Sequence, residues 1–287
     1  MPTAVEFIAA VAPAYNATAE PISTIGVILR FGLTISDGRT IPYEIEVEQV
    51  GGRRATAKER EPINLPQFCP QRHINYDGSF CLYWREVSDL DITDEKTAHT
   101  WWKTLWKFLT LQARVKKARR WPNENEWAHG TAAVHQHRAE LAAHKLGGRY
   151  EVALRERRLS VVRNRRVLQL FKDKRHLYSV WFDSKKVVNL KQRCLCGTTG
   201  KKGGKRLRRC GSHASDASQL VAALFLWEVE EKAFWDSFRD KQCCGTCDNC
   251  PLQLSVVRSS CANLALLETR GRPNDPTIRK NTCDYPD

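Results

Sequence analysis

Residues 69–84 read CPQRHINYDGSFCLYW, and the interpretation of the whole chain depends on this stretch. Its middle carries the turn formers Asn75, Asp77 and Gly78. Asx side chains hydrogen-bond to their own backbone, and glycine tolerates positive φ. We therefore expect a rigid turn, with the thiol of Cys81 just beyond it.

Apolar residues follow the turn at alternate positions, as in a short half-buried strand: Phe80, Leu82 and Trp84. A thiol held at a rigid turn can act as a nucleophile, and the nearby Asn75 amide can hydrogen-bond an oxyanion. The competing interpretation is that Cys81 is a buried thiol that packs as a small hydrophobic residue.

The stretch resembles the active-site segment of ubiquitin-conjugating enzymes. That segment has the sequence His-Pro-Asn, followed by a short loop, a glycine, two further residues and then Cys-Leu. Residues 73–75 (HIN) match the first element, and residues 78–82 (GSFCL) match the second. Ile74 replaces the proline, and the loop is two residues shorter than usual. The shorter form is similar to that of bacterial proteins of the same fold. Their genes lie in antiphage operons, beside genes for ubiquitin-like proteins, activating enzymes or cGAS-like nucleotidyltransferases.

The resemblance implies a role for each residue of the segment. Cys81 would be the nucleophile and thioester carrier, Asn75 the oxyanion donor, and His73 a structural residue that orders the loop. The carried chain would be a ubiquitin-like protein or the C-terminus of a cGAS-like nucleotidyltransferase, loaded by a separate activating enzyme, in bacterial antiviral defence. An acidic residue can position the attacking amine in this family, and Asp89 and Asp91 are candidates by proximity alone. The alternative is a non-catalytic binding module of the same fold.

The elements around this segment predict an α+β fold with a UBC-like antiparallel meander sheet and flanking helices. The pattern indicates a helix over 4–14, strands over 24–35 and 41–50, a loop or strand over 51–60, and helices over 95–117 and 124–146. Gly147-Gly148 is the best candidate boundary, because paired glycines stop a helix. We expect a ubiquitin-conjugating-like domain over 1–146 and a basic, largely helical, zinc-binding cysteine-rich domain over 147–287.

The net charge of +14 is concentrated in the middle of the chain. Residues 112–213 carry 27 lysines and arginines against seven acidic residues, whereas both flanking segments are slightly acidic. Such a surface can attract nucleic acid, anionic lipid or an acidic protein partner, and a solvated helical face is the alternative. Within this region, arginine and apolar residues over 150–173 favour an amphipathic helix, and residues 176–190 favour a hairpin.

Nine of the eleven cysteines fall between residues 194 and 283. A first group combines two cysteines one residue apart with a Cys/His pair: Cys194, Cys196, Cys210 and His213. Three thiolates and an imidazole can complete a tetrahedral zinc site. Residues 196–202 are similar to the SEC-C zinc motif.

A second group has two consecutive two-residue gaps and resembles the zinc module of RecQ-type helicases: Cys244, Cys247 and Cys250. Cys261 or Cys243 would supply the fourth ligand. Zinc is favoured over an iron–sulfur cluster, which also uses such gaps. We therefore expect two structural zinc ions. A helix over 217–238 is expected to pack both sites onto one core.

The chain has no apolar run long enough to span a bilayer, and its N-terminus lacks the basic segment of a secretion signal. A reducing cytoplasmic location is therefore expected, where cysteines act as metal ligands or reactive thiols rather than in disulfides.

Overall fold

The computed structural model describes residues 2–83, 90–122, 127–196 and 205–253. It contains five α-helices within these ranges: α1 (Ala4–Val11), α2 (Glu95–Ala118), α3 (Ala132–Leu146), α4 (Gly148–Arg155) and α5 (His213–Ser237). The strands are β1 (Thr18–Ser23), β2 (Gly26–Thr34), β3 (Thr40–Val50), β4 (Arg54–Glu59), β5 (Leu159–Asn164), β6 (Val167–Lys172) and β7 (Arg175–Trp181).

The first half forms a four-stranded antiparallel meander in the order β1-β2-β3-β4. β2 and β3 pair in register from Gly26↔Glu48 to Thr34↔Thr40, so one face of both strands points into the core. The predicted antiparallel meander is confirmed, and residues 54–59 prove to be a strand. Sequence analysis missed β1, which contains Pro21 and pairs only with β2, at the edge of the sheet.

Helix α2 shares one core with the sheet and α1. Asp94 caps its N-terminus in a reciprocal arrangement with Thr97. Trp101 and Trp102 are fully buried, and the Trp102 indole donates a hydrogen bond to the carbonyl of Ile8 in α1, at 3.0 Å. The helix therefore holds α1 and the sheet together, leaving the loop after β4 at one end of the domain.

The second half has its own core, in which α3, α4 and α5 pack with the three-stranded sheet β5-β6-β7. The Tyr178 hydroxyl donates to the carbonyl of Ala217, linking β7 to α5 at 2.8 Å. The predicted helix over 217–238 is confirmed within α5, and the mixed helix and antiparallel sheet confirms the α+β class.

The predicted single helix over 150–173 is wrong beyond α4, because residues 159–172 form the β5–β6 hairpin. Leu159 and Val161 are buried while Ser160 and Val162 are exposed, which is the two-residue period of a strand. The arginines here project from strands and turns rather than from one helical face. Of the predicted helix over 124–146, residues 132–146 form α3, residues 127–131 precede it, and residues 124–126 lie outside the described residues.

The two cores meet through chain segments that cross between them. Helix α3 packs in the second core, although the predicted boundary at Gly147 assigned it to the first domain. Conversely, the first core includes three residues from the end of the second half: Cys247, Cys250 and Leu252. Among the described helices, none combines the length and apolar character needed to span a membrane.

Candidate active site and metal centre

The loop that follows β4 is a compact structure attached to the sheet edge. Cys69 and Ile74 exchange two backbone hydrogen bonds, at 3.2 and 3.0 Å, and the Phe80 amide donates to the Ala57 carbonyl of β4 at 2.8 Å. Phe80 is buried against Phe108 of α2. The loop is therefore fixed at both of its ends. Of the strand predicted over Phe80, Leu82 and Trp84, Phe80 forms an isolated bridge with Ile74, Leu82 lies in no strand, and Trp84 lies outside the described residues.

The predicted turn over residues 75–78 is present. The Gly78 amide donates to the Asn75 carbonyl at 3.0 Å, and Gly78 has a φ of +81°, which favours glycine. Asp77 accepts hydrogen bonds from the amide and hydroxyl of Ser79, and these hold the pKa of its carboxyl below the ordinary value. The turn is thus stabilised by its own side chains.

Cys81 lies immediately after this turn and its surface reaches solvent. Its amide donates to the His73 carbonyl at 2.9 Å, which fixes the backbone that carries the thiol. Desolvation by the surrounding protein raises the pKa of the thiol above the ordinary value. Cys81 is therefore an accessible thiol that is mainly protonated at neutral pH.

Asn75 lines the same cleft as Cys81, but its amide is engaged within the turn. Its Nδ2 donates to the Ser79 hydroxyl at 3.0 Å. In this conformation the Asn75 amide therefore serves the turn.

His73 is partly buried, with its Nε2 atom enclosed, and it adopts the left-handed conformation with φ of +56°. Its ring stacks on His129 with centroids 5.3 Å apart and contacts Trp121 at 5.0 Å. Burial, together with the neighbouring His129, lowers the pKa of His73 to about 3. The ring is therefore neutral and acts within the packing of the loop, away from solvent.

Cys81 opens onto a cleft of about 880 Å³. One wall comes from the loop and α2, including Asn75, Tyr76 and Lys107; the other comes from the second half, including His129 and Glu140. The cysteine-rich half is thus part of the site rather than an appendage attached elsewhere.

His129 makes the principal polar contact between this second wall and the loop. Its Nε2 lies 3.0 Å from the Pro70 carbonyl, and its Nδ1 lies 2.7 Å from the Glu231 carboxylate of α5. Burial opposes ionisation of Glu231, but hydrogen bonds from His129 and Trp235 outweigh it and lower the carboxyl pKa. Sequence reasoning missed this pair, because no local spacing relates residues 129 and 231 to the loop.

The first cysteine group comes together as predicted. One ligand atom from each of four residues lies within 4.8 Å of all the others: Cys194, Cys196, Cys210 and His213. The Nδ1 atom of His213 lies 3.2 Å from the sulfur of Cys194 and 3.3 Å from that of Cys210. Three sulfurs and one imidazole nitrogen at this separation form a donor set able to bind a soft divalent metal ion.

The second group lies elsewhere, against the first core, so the prediction that both cysteine groups pack onto one core is wrong. Cys247 and Cys250 are buried there, and the Cys250 thiol hydrogen-bonds to Cys243. Cys244 hydrogen-bonds to Cys69, a residue that sequence reasoning did not consider as a ligand. Cys261 lies outside the described residues.

The remaining sequence predictions concern charged residues. Asp91 lies 3.7 Å from Arg54 in an ion pair at the surface, and Asp89 lies outside the described residues. In the basic region, Arg163 and Lys185 lie over the Phe182 ring at 3.9 and 4.2 Å. A nucleic-acid or acidic partner for residues 112–213 stays a prediction.

Comparison with known protein families gives two matches, one in each half of the chain. Residues 15–123 match the family model of the prokaryotic E2 domain. Residues 128–252 match the model of the cysteine-rich domain C-terminal to the E2 domain. No curated protein and no solved structure matches the chain. The chain is therefore a prokaryotic E2-like protein with an appended cysteine-rich domain.

Proposed function

We propose that the chain is a conjugating enzyme that carries an activated acyl group as a thioester on Cys81 and transfers it to an amine. The observation that carries this proposal is the accessible thiol of Cys81, held on a fixed turn at the mouth of a cleft within an E2 domain. Positioning is the main requirement of such a reaction, since the thioester itself supplies the reactivity.

The two steps balance without an added oxidant or reductant. In the first, the Cys81 sulfur attacks the thioester carbonyl held by an activating enzyme, whose own thiol leaves with the proton. In the second, an amine attacks the Cys81 thioester, an amide bond forms, and the Cys81 thiol is regenerated. The raised pKa of Cys81 makes its thiolate strongly nucleophilic once it loses its proton.

Asn75 would break its hydrogen bond with Ser79 and stabilise the oxyanion of both tetrahedral intermediates. His73 would order the loop through its packing contacts. The carried chain would be a ubiquitin-like protein or the C-terminus of a cGAS-like nucleotidyltransferase, with phage defence as the biological setting. Support for these partners comes from the bacterial proteins that residues 69–82 resemble.

We further propose that Cys194, Cys196, Cys210 and His213 hold a structural zinc ion. The donor set fits zinc, which prefers tetrahedral thiolate and imidazole ligands, and all four positions are taken by protein, as in structural sites. The ion would join residues 194–196 to residues 210–213, at the start of α5. Replacing Cys194 by Ser should remove one equivalent of zinc, measured by elemental analysis; unchanged zinc content would contradict this assignment.

The conjugating function is tested by co-expressing the chain with the genes that flank its own and measuring its intact mass without reductant. We expect an adduct that is lost on reduction and is absent from Cys81→Ala. The matched control is Ser79→Ala, which alters the same turn but keeps the thiol, and should retain the adduct. An adduct of equal yield on Cys81→Ala would overturn the proposal. Failure of the wild type to form one would favour the non-catalytic binding module.

A further inference from the structure

Cys69 is buried at the base of the catalytic loop and contacts the distant cysteine-rich segment. It is 1% exposed and directly precedes the short helical turn Pro70–Arg72. Interaction with the neighbouring thiols of Cys244 and Cys247, together with burial, raises the pKa of the Cys69 thiol well above the ordinary value. A single cysteine of the E2 domain therefore meets the two cysteines of a Cys-x-x-Cys pair that lies over 170 residues away.

The segment over residues 243–250 has the backbone of a metal-binding knuckle. Gly245 adopts a φ of +68°, which glycine permits, and its amide points to the Cys243 sulfur at 3.4 Å. Amide-to-sulfur hydrogen bonds of this kind stabilise thiolates. Two residues separate Cys244 from Cys247, which is the usual gap between zinc ligands in such turns.

Further contacts hold this segment against the E2 domain. Arg119, at the end of α2, donates to the Gly245 carbonyl at 2.8 Å and pairs with Asp248 at 2.7 Å. The Asp248 amide donates back to the Arg119 carbonyl at 2.9 Å. The position of the Cys-x-x-Cys pair beside Cys69 is thus fixed by bonds other than those between the thiols.

The charge of the surroundings also indicates thiolates at this point. Arg72 is 2% exposed, and its guanidinium donates to the side chain and carbonyl of Gln112 and to the Thr246 hydroxyl, which are all neutral. A buried cation is costly without a negative group nearby. Thr246 lies between Cys244 and Cys247, so a metal–thiolate cluster there would supply the missing negative charge.

We propose that Cys69, Cys244 and Cys247 are ligands of a second zinc ion, which links the catalytic loop of the E2 domain to the cysteine-rich domain. The fourth ligand comes from the adjacent contacting pair, Cys243 and Cys250. Zinc fits a set of soft thiolates fully supplied by protein. This site depends on contacts on the buried side of the loop and is independent of the proposed transfer reaction.

Metal analysis of the full chain tests the proposal directly. We expect about two equivalents of zinc in the wild type and about one in Cys69→Ser, while Cys81→Ser, the matched control on the same loop, retains two. Two equivalents in Cys69→Ser would overturn the assignment. So would a disulfide at Cys69, revealed by peptide mapping under non-reducing conditions. Of Cys243→Ser and Cys250→Ser, the one that loses the second equivalent identifies the fourth ligand.

A second variant covers the case in which Cys69→Ser does not fold. Cys69→His retains a zinc ligand, so we expect it to bind two equivalents. After substitution with cobalt(II), its thiolate charge-transfer absorption should fall below that of the wild type, because one sulfur has been replaced by nitrogen. Absorption equal to that of the wild type would show that Cys69 is not a ligand.

Discussion

The two faces of the loop over residues 69–81 differ in almost every physical respect. The cleft face presents the accessible Cys81 and an Asn75 amide whose partner lies within its own turn. The buried face presents Cys69 and Arg72 to a different part of the chain. One short loop thus combines a surface suited to chemistry with a surface that joins two domains.

This difference indicates how the cysteine-rich domain contributes. The Pro70 carbonyl receives His129, the Arg72 guanidinium reaches Thr246, and the Cys69 thiol reaches Cys244. The Cys69 and Arg72 contacts are buried, whereas Pro70 and His129 also line the cleft, and the His73 carbonyl accepts a hydrogen bond from the Cys81 amide. The appended domain therefore contacts the loop that carries Cys81 and also forms one wall of its cleft.

Substitution on the buried face should have the largest effect on folding. Arg72→Met removes a buried cation and leaves Gln112 and Thr246 without their donor, so we expect a loss of about 2–4 kcal/mol in unfolding free energy. Urea unfolding measures this change. Arg30→Met is the matched control, since Arg30 forms exposed ion pairs with Glu20 and Glu44 and should lose less than about 1 kcal/mol. Equal losses of unfolding free energy in Arg72→Met and Arg30→Met would contradict a structural role for the buried face of the loop.

Substitution on the cleft face should change the reaction and leave stability nearly unaltered. Asn75→Ala removes the proposed oxyanion donor, for which a decrease of about 10²-fold in the rate of acyl transfer is expected. Single-turnover discharge of the loaded enzyme to a free amine measures it. Ser79→Ala frees the Asn75 amide, keeps the backbone hydrogen bond from residue 79 to Asp77, and should discharge at least as fast as wild type. A wild-type rate for Asn75→Ala would assign Asn75 to the turn alone.

The smallest expected effect is a pH dependence that originates at His73. The folded chain keeps this ring neutral down to about pH 3, whereas the unfolded chain protonates it near 6.5. Its contribution is complete above pH 6.5 and decreases as the pH falls, by at most about 1.4 kcal/mol per unit. We expect His73→Asn, which tolerates the left-handed backbone, to flatten the stability profile between pH 6.5 and 5. An unchanged slope would contradict the neutral, buried state of His73.

Local sequence patterns predicted the features that depend on neighbouring residues. The Asn75–Gly78 turn and the ligands around Cys194 follow from short spacings, and the meander follows from alternation along β3. The β5–β6 hairpin was misassigned because arginines at many positions fit a helical and a two-residue period equally well. Cys69, His129 and Glu231 acquire their roles through contacts between distant segments, for which a single sequence gives no signal.

The chemistry of the cleft face is tested most directly by intact mass spectrometry of Cys81→Ser, co-expressed with the genes that flank its own. Serine would convert a labile thioester into a longer-lived oxyester. We predict a mass increase equal to one neighbouring protein minus water, mapped by peptide analysis to residue 81. An unmodified mass, together with an unmodified wild type under non-reducing conditions, would contradict the carrier function of Cys81.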